Sequence, residues 1–198
     1  MGGKFSRVIC NDKQEYLIEL YKAVQKGWVP PDSLPEEEYR YIRAHKDDDK
    51  ALTAFAGFGC SFGGKWFGGY GRHSRASAEN TLRIQSKRAL MRDIGILRDA
   101  EFLCLDYREA PLPDGCVIYA DPPYRGRMQA YGLKEQFDSD AFWEWAKETS
   151  AGHDVYVSEL EAPEGFQCIW EKPVTRRLGN CSDSRFKAIE KLFVYRKD

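Results

Sequence analysis

The chain predicts an α/β fold in which a mostly parallel sheet is interrupted by an inserted lobe. Three apolar runs each end in an acidic residue: Arg7-Val8-Ile9-Cys10 before Asn11-Asp12, Phe102 to Leu105 before Asp106, and Cys116-Val117-Ile118-Tyr119-Ala120 before Asp121. Stretches of helical periodicity alternate with such runs, the pattern of strand–helix units on a parallel sheet. The third observation is an interruption: from Ala54 to Gly71, Phe55, Phe58, Phe62, Trp66, Phe67 and Tyr70 alternate with glycines. That segment is too rich in glycine for a stable helix and too aromatic for a plain linker. Residues 1–30 and 100–198 are therefore expected to build the sheet domain, and residues 31–99 the inserted lobe.

The elements follow in order. After the first strand, Tyr16, Leu17, Leu20, Tyr21 and Val24 recur at helical spacing, and Gly27 stands just past the helix end. Trp28-Val29-Pro30-Pro31 is a turn, from which Asp32 or Ser33 opens a second helix with Glu36, Glu37 and Glu38 in its first turn and Tyr39 and Ile42 on its apolar face. Asp47 to Asp49 reads as a solvated loop. Thr81 to Leu97 returns to helical periodicity through Leu82, Leu90, Ile94 and Leu97. The run before Asp121 has the length and composition of a buried strand. Asp138 or Ser139 caps a helix carrying Phe142, Trp143 and Trp145, and Asp154 to Val157, Phe166 to Trp170 and Leu192 to Tyr195 are further strands.

Composition narrows the class. The 198 residues fit one domain or one domain with an inserted lobe, and 42% hydrophobic content suffices for a sizeable core. No apolar run approaches the roughly 20 residues that span a bilayer, and no cationic-then-apolar leader is present. The six cysteines (Cys10, Cys60, Cys104, Cys116, Cys168, Cys181) form no close pair and read as reduced structural thiols of a cytoplasmic protein. His45, His73 and His153 are not spaced as metal ligands, so no metal is expected. Net charge is −1, yet Lys65, Arg72, Arg75, Arg83, Lys87, Arg88 and Arg92 fall in one stretch opposed only by Glu79. A basic patch inside a neutral protein is the expectation.

Asp121-Pro122-Pro123-Tyr124 is the stretch that proposes a reaction. Asp121 ends a strand, where open α/β sheets bind their ligands. Two prolines stiffen the turn and have no N–H, so nearby carbonyls remain as acceptors. A carboxylate and a carbonyl together accept both hydrogens of a planar amino group, and Tyr124 offers a ring on which a base can stack; that suits a nucleobase. Asp12 is placed either to accept ribose hydroxyls or, with Asn11, to cap the following helix. Asp106, with Tyr107 beside it, can accept from an adenine amino group. In the lobe, Lys65, Trp66, Tyr70, Arg72, Arg75 and Arg83 fit a nucleic-acid surface, with arginines on phosphates and aromatics stacked on bases. The other reading is the aromatic core of a small lobe with a solvated basic rim; Phe55, Phe58 and Phe62 are expected in that core, and the arginines are the better candidates for phosphate contact.

Phe58-Gly59-Cys60-Ser61-Phe62-Gly63-Gly64-Lys65-Trp66-Phe67-Gly68-Gly69-Tyr70-Gly71-Arg72, followed by Asp121-Pro122-Pro123-Tyr124, resembles phage-type, Dam-like DNA adenine methyltransferases. The likeness runs from about Arg7 onward and takes in Asn11-Asp12, Gly27-Trp28-Val29-Pro30-Pro31, Phe137-Asp138 through Trp145, Val157-Ser158-Glu159 and Ile169-Trp170-Glu171-Lys172. It implies a Rossmann-like methyltransferase sheet, S-adenosylmethionine as methyl donor, double-stranded DNA as partner, and an adenine flipped from the duplex. Asp121, Pro122, Pro123 and Tyr124 would match the catalytic motif, Asp12 the ribose contact, Asp106 and Tyr107 the contact to the cofactor adenine, and the lobe target recognition. The family's N-terminal segment and first Gly-rich loop, which cradles the methionine moiety, have no counterpart ahead of Arg7. An N-terminally shortened phage or prophage product with weak or absent cofactor binding is the expectation that follows. Two other readings stay open: an RNA base methyltransferase, and a remnant that binds DNA without catalysis. The sequence gives neither the target site nor the oligomeric state.

Overall fold

The computed structural model describes residues 5–72, 82–96, 98–123, 137–177 and 185–196. Contacts divide the chain into two compact units: residues up to Ala110 form the first, and almost all that follows Pro111 forms the second. The expected sheet domain of 1–30 and 100–198 thus spans parts of both units, each of which is a separate α/β assembly.

In the first unit, β1 (Ile9–Asn11) pairs in parallel with β2 (Glu101–Leu103), Asn11 opposite Leu103. Between them in sequence run α1 (Glu15–Gln25), α2 (Glu36–Ala44), α3 (Lys50–Ala54) and α4 (Leu82–Ile96). Helix α1 is capped by Gln14, whose side chain accepts the Tyr16 N–H at 3.3 Å; neither Asn11 nor Asp12 takes that role. The apolar residues of α1 bury Ile18, Leu20 and Val24, Tyr21 stacks on Phe102 with ring centroids 5.5 Å apart, and Gly27 leaves the helix at φ 98°. That left-handed turn favours glycine. Helix α2 begins at Glu36, later than Asp32 or Ser33 suggested, because Pro35 holds the N-cap position in extended conformation and Asp32 is engaged by Lys87 at 2.7 Å. Tyr39 and Ile42 are buried as their spacing predicted.

The acidic run Asp47 to Asp49 is an exposed turn with two structural tasks: Asp47 accepts from the Tyr16 hydroxyl at 2.9 Å, and Asp49 caps α3 through the Leu52 N–H at 2.9 Å. Helix α3 then widens into a π-helical turn over Phe55–Gly59, followed by a 3₁₀ turn at Phe62–Gly64 and a bridge pairing Ser61 with Tyr70. The Gly-aromatic string is therefore a coiled-back knot packed on the helices. Phe55 is fully buried and Phe58 half-buried, but Phe62 is 51% exposed, against the expectation that all three enter the core. Its neighbours Gly63 and Gly64 turn the chain outward at φ 66° and 67°. The core of this unit gathers Ile18, Leu34, Tyr39, Ala54, Phe55, Cys60 and Phe67 with Ile94 and Phe102.

The second unit is a four-stranded sheet in the order β3 (Val117–Ala120), β4 (Asp154–Glu159), β6 (Arg185–Tyr195), β5 (Phe166–Arg177), with α5 (Ser139–Thr149) packed on it. Of the two caps read from the sequence for α5, Asp138 takes the role, accepting the N–H groups of Asp140 and Ala141 at 3.1 and 3.0 Å. Trp143 meets Phe166 edge-on at 4.6 Å and Phe193 at 6.3 Å between centroids, over buried Val155 and Val157. β3 and β4 are parallel, whereas β6 is antiparallel to both β4 and β5. The sheet is accordingly mixed, not mostly parallel: β5 and β6 are successive strands of a hairpin, and a hairpin is antiparallel by construction. A second correction concerns β3. Val117 is 49% and Tyr119 66% exposed, so the strand expected to be buried is an edge, paired on one side only among the described residues. Among these residues no helix is long and apolar enough to cross a membrane.

Candidate active site

Two groups of acidic strand ends emerge, one in each unit. In the first, parallel pairing of β1 and β2 brings Asp12 and Asp106 to the same end of the pair. Asn11 locks this end by bonding both ways with Leu105: its amide donates to the Leu105 carbonyl and its carbonyl accepts the Leu105 N–H, each at 3.0 Å. The Asp12 N–H continues the ladder to the Leu103 carbonyl at 3.2 Å. Asp12 itself closes a tight turn, accepting the Gln14 N–H at 2.7 Å. Surrounding protein desolvates its carboxyl and raises it above its ordinary value, with the Gln14 N–H pulling the other way.

Asp106 is in a different state. Arg108 grips both its oxygens, at 2.7 and 2.9 Å, the Arg108 N–H adds a third bond at 3.1 Å, and Lys13 approaches to 3.3 Å. These donors, Arg108 first, hold the carboxyl well below the usual carboxylate range. The Arg108 guanidinium also lies 5.3 Å from the Tyr107 ring centroid. Lys13, Cys104, Leu105, Asp106, Arg108 and Glu109 line an open cleft of about 520 Å³. Lys13 and Arg108 were missed by the sequence reading. Arg108 had a signal, standing two positions after the acid it binds; Lys13 is brought in only by strand pairing.

In the second unit, Asp121 follows β3 directly and is exposed, Pro122 is buried and Pro123 half-buried. Tyr124 lies outside the described residues. Since Ala120 pairs with Val157, Asp121 stands at the carboxyl end of two adjacent parallel strands. Glu159 ends the neighbouring strand β4, is buried with 7% of its surface exposed, and has Lys191 as its cross-strand partner. This second carboxylate was not singled out in the sequence, although it ends an apolar strand as the other three acids do.

The lobe candidates divide. Trp66 is half-buried and packs between Tyr16, Phe58 and Phe67 at centroid distances of 5.1, 4.8 and 4.9 Å. Tyr70 packs edge-on against Tyr39 at 5.4 Å and donates its hydroxyl to the Leu34 carbonyl at 2.8 Å. Arg83 lies 4.9 Å from the Tyr70 ring centroid, with its buried Nη1 lacking a hydrogen-bond partner among the described residues. Lys65 is exposed. Arg72 is exposed but bonded to Glu36 at 2.9 and 2.6 Å, which raises the guanidinium further and lowers the Glu36 carboxyl. Arg75 lies outside the described residues. The basic stretch is thus less one-sided than its sequence: Arg72 meets Glu36, Lys87 meets Asp32, and Arg92 meets Asp93 at 2.9 Å.

Among the described residues no cluster of three His, Cys, Asp or Glu side chains is arranged to hold a metal ion. No protein-family model and no curated protein matches the chain.

Proposed function

We propose that this chain carries the site of an adenine-specific DNA methyltransferase, in which Asp121 accepts the exocyclic amino group of a flipped adenine. The observation that carries the reading is the position of Asp121-Pro122-Pro123: a carboxylate and a donor-poor turn at the carboxyl end of parallel strand β3. Hydrogen bonds from the amino group to Asp121 and to an adjoining backbone carbonyl leave the nitrogen lone pair directed away from the protein, free to attack. S-adenosylmethionine would supply the electrophilic methyl group. The rate would come from in-line positioning and from acceptors fixed in advance, with no covalent enzyme intermediate.

The acidic pair of the first unit has the chemistry to hold the donor. Asp12 suits ribose hydroxyls, and Asp106 an adenine amino group once Arg108 releases an oxygen. Tyr107, beside them, offers a face for the ring. A Rossmann-like methyltransferase sheet is the finer fold reading that goes with this function.

The test is methyl transfer from labelled S-adenosylmethionine, at millimolar donor, to duplex DNA of mixed sequence, with N6-methyladenine quantified by mass spectrometry. N6-methyladenine is expected with the unmodified chain, and a loss of at least about 100-fold with Asp121→Ala. Product formed on RNA alone, or equal product with Asp121→Ala, would overturn the reading.

A further inference from the structure

We propose that Arg108 is a self-occluding latch: its guanidinium fills the subsite that Asp106 and Tyr107 form, and an adenine ring must displace it to bind. That the displacing ring is the adenine of the methyl donor rests on the methyltransferase reading; the exclusion itself does not.

The turn after β2 gathers three consecutive side chains around one point. Asp106 Oδ1 accepts from Arg108 Nε at 2.7 Å, and Oδ2 accepts from Arg108 Nη2 at 2.9 Å, a two-pronged grip. The same guanidinium lies over the Tyr107 ring, 5.3 Å from its centroid. A planar group is thus held by a carboxylate at its N–H edge and by an aromatic ring at its face. Adenine offers the same two handles, an amino group on its edge and a π face. The guanidinium therefore occupies the contacts that would recognise the base.

Counting acceptors makes the exclusion strict. An ionised carboxylate has about four lone-pair sites. On Asp106 two donors share Oδ1, namely Arg108 Nε and the Arg108 backbone N–H at 3.1 Å. Two more share Oδ2, namely Arg108 Nη2 and Lys13 Nζ at 3.3 Å. An amino group arriving from the cleft finds no acceptor until the guanidinium leaves. Its departure frees one site on each oxygen and leaves each oxygen with one donor. The carboxylate then stays charged and held in place, with room for the base.

The turn has supports of its own. Its backbone is closed by the Glu109 N–H on the Asp106 carbonyl at 3.0 Å, and Asn11 clamps the Leu105 backbone with two bonds of 3.0 Å. Exposure shows which partner is free to move: the Arg108 side chain is 61% exposed, the Asp106 side chain 15%. The carboxylate lies in the wall of the cleft and the guanidinium sits across it from the solvent side. An ion pair this exposed is worth about fivefold or less in an equilibrium constant. That suffices to keep the subsite occupied most of the time, and a ligand can still open it.

The experiment is an NMR titration of the full chain with adenosine, for the unmodified protein, for Arg108→Ala, and for Arg108→Ala combined with Asp106→Ala. Adenosine has no carboxylate or phosphate that a released Arg108 could hold, so it reads the latch alone. Arg108→Ala is expected to bind adenosine about three- to fivefold more tightly, because binding no longer waits on displacement. Adding Asp106→Ala should cancel that gain. Raising salt from about 50 to about 500 mM screens the ion pair, so the unmodified chain should bind adenosine more tightly while Arg108→Ala stays level. The salt series on the unmodified chain involves no substitution, so a folding defect cannot imitate it. A merely structural Arg108 predicts weaker binding by Arg108→Ala and no gain with salt. Equal or weaker adenosine binding by Arg108→Ala overturns the latch, and so does absence of adenosine binding by all three chains. Tighter binding by Arg108→Ala without any N6-methyladenine in the transfer assay leaves the latch standing and removes the methyltransferase reading. N6-methyladenine formed without that tightening does the reverse.

Discussion

Gly57 lies against the Trp66 indole so closely that a Cβ there would come within 2.5 Å of the ring and 2.9 Å of Phe67. The Gly57 carbonyl also accepts the Phe67 N–H at 2.9 Å, tying the π-helical turn to the loop that returns over it. Trp66 has little room to retreat, being packed on Tyr16, Phe58 and Phe67. Gly57→Ala is expected to destabilise the first unit by about 1–3 kcal/mol, the usual cost of overpacking. Urea unfolding followed by tryptophan emission measures this, with a red shift expected in the native baseline. An unchanged midpoint would show that the knot yields without strain.

Glu36 holds two cations at once, Arg72 and Arg40, each with a contact at 2.6 Å. Both guanidiniums are exposed, and both are released when the carboxylate becomes neutral. Glu36→Gln should therefore strengthen duplex binding and steepen the salt dependence by about 0.9 for each released arginine that reaches a phosphate. Fluorescence anisotropy of a labelled duplex over a series of salt concentrations measures this. An identical slope would mean that Arg72 makes no contact with the duplex.

Asp106 carries a pH dependence whose sign follows from its partners. Arg108, helped by Lys13, holds the folded-state carboxyl below its unfolded value of about 3.9. Its contribution to stability is complete above that unfolded value and is lost as pH falls through the folded one. Arg108→Ala should move the Asp106 titration up toward about 3.9 and flatten the acid limb of the stability curve below about pH 4. Carboxyl-carbon NMR across pH 1.5 to 6, roughly the range needed, reads the shift directly. A midpoint that does not move would mean that the backbone N–H and Lys13 suffice.

What the sequence disclosed and what it withheld divide by the range of the interactions. Local signals survived into the structure: the periodicity of α1 with Gly27 at its end, the Asp138 cap of α5, and the buried pair Tyr39 and Ile42. Each is decided within a few residues. The start of α2 was misjudged because Pro35 holds the N-cap in extended conformation, while Asp32, offered as the cap, pairs instead with Lys87, 55 positions away. The π-helical turn at Phe55–Gly59 has no local signature, since it exists to seat Phe55 and admit Trp66 over Gly57. Charge was legible as a one-dimensional bias, but folding brings Glu36 and Asp32 onto cations that the linear stretch left unopposed. At the candidate site the acids could be read from strand ends, whereas the occupancy of Asp106 depended on a turn and a strand pairing that only coordinates supply.

The edge position of β3 gives Pro122 and Pro123 a second meaning. An apolar strand paired on one side only among the described residues is a template on which another extended segment can grow, and Val117 to Ala120 has no lysine, bulge or internal proline to discourage it. Growth along that edge needs a donor at every second residue. The supply ends at Asp121, since neither residue after it has an N–H. The prolines therefore act as a terminator: a segment that lies down beside β3 must stop short of Asp121, halted by the same residues that stiffen the turn.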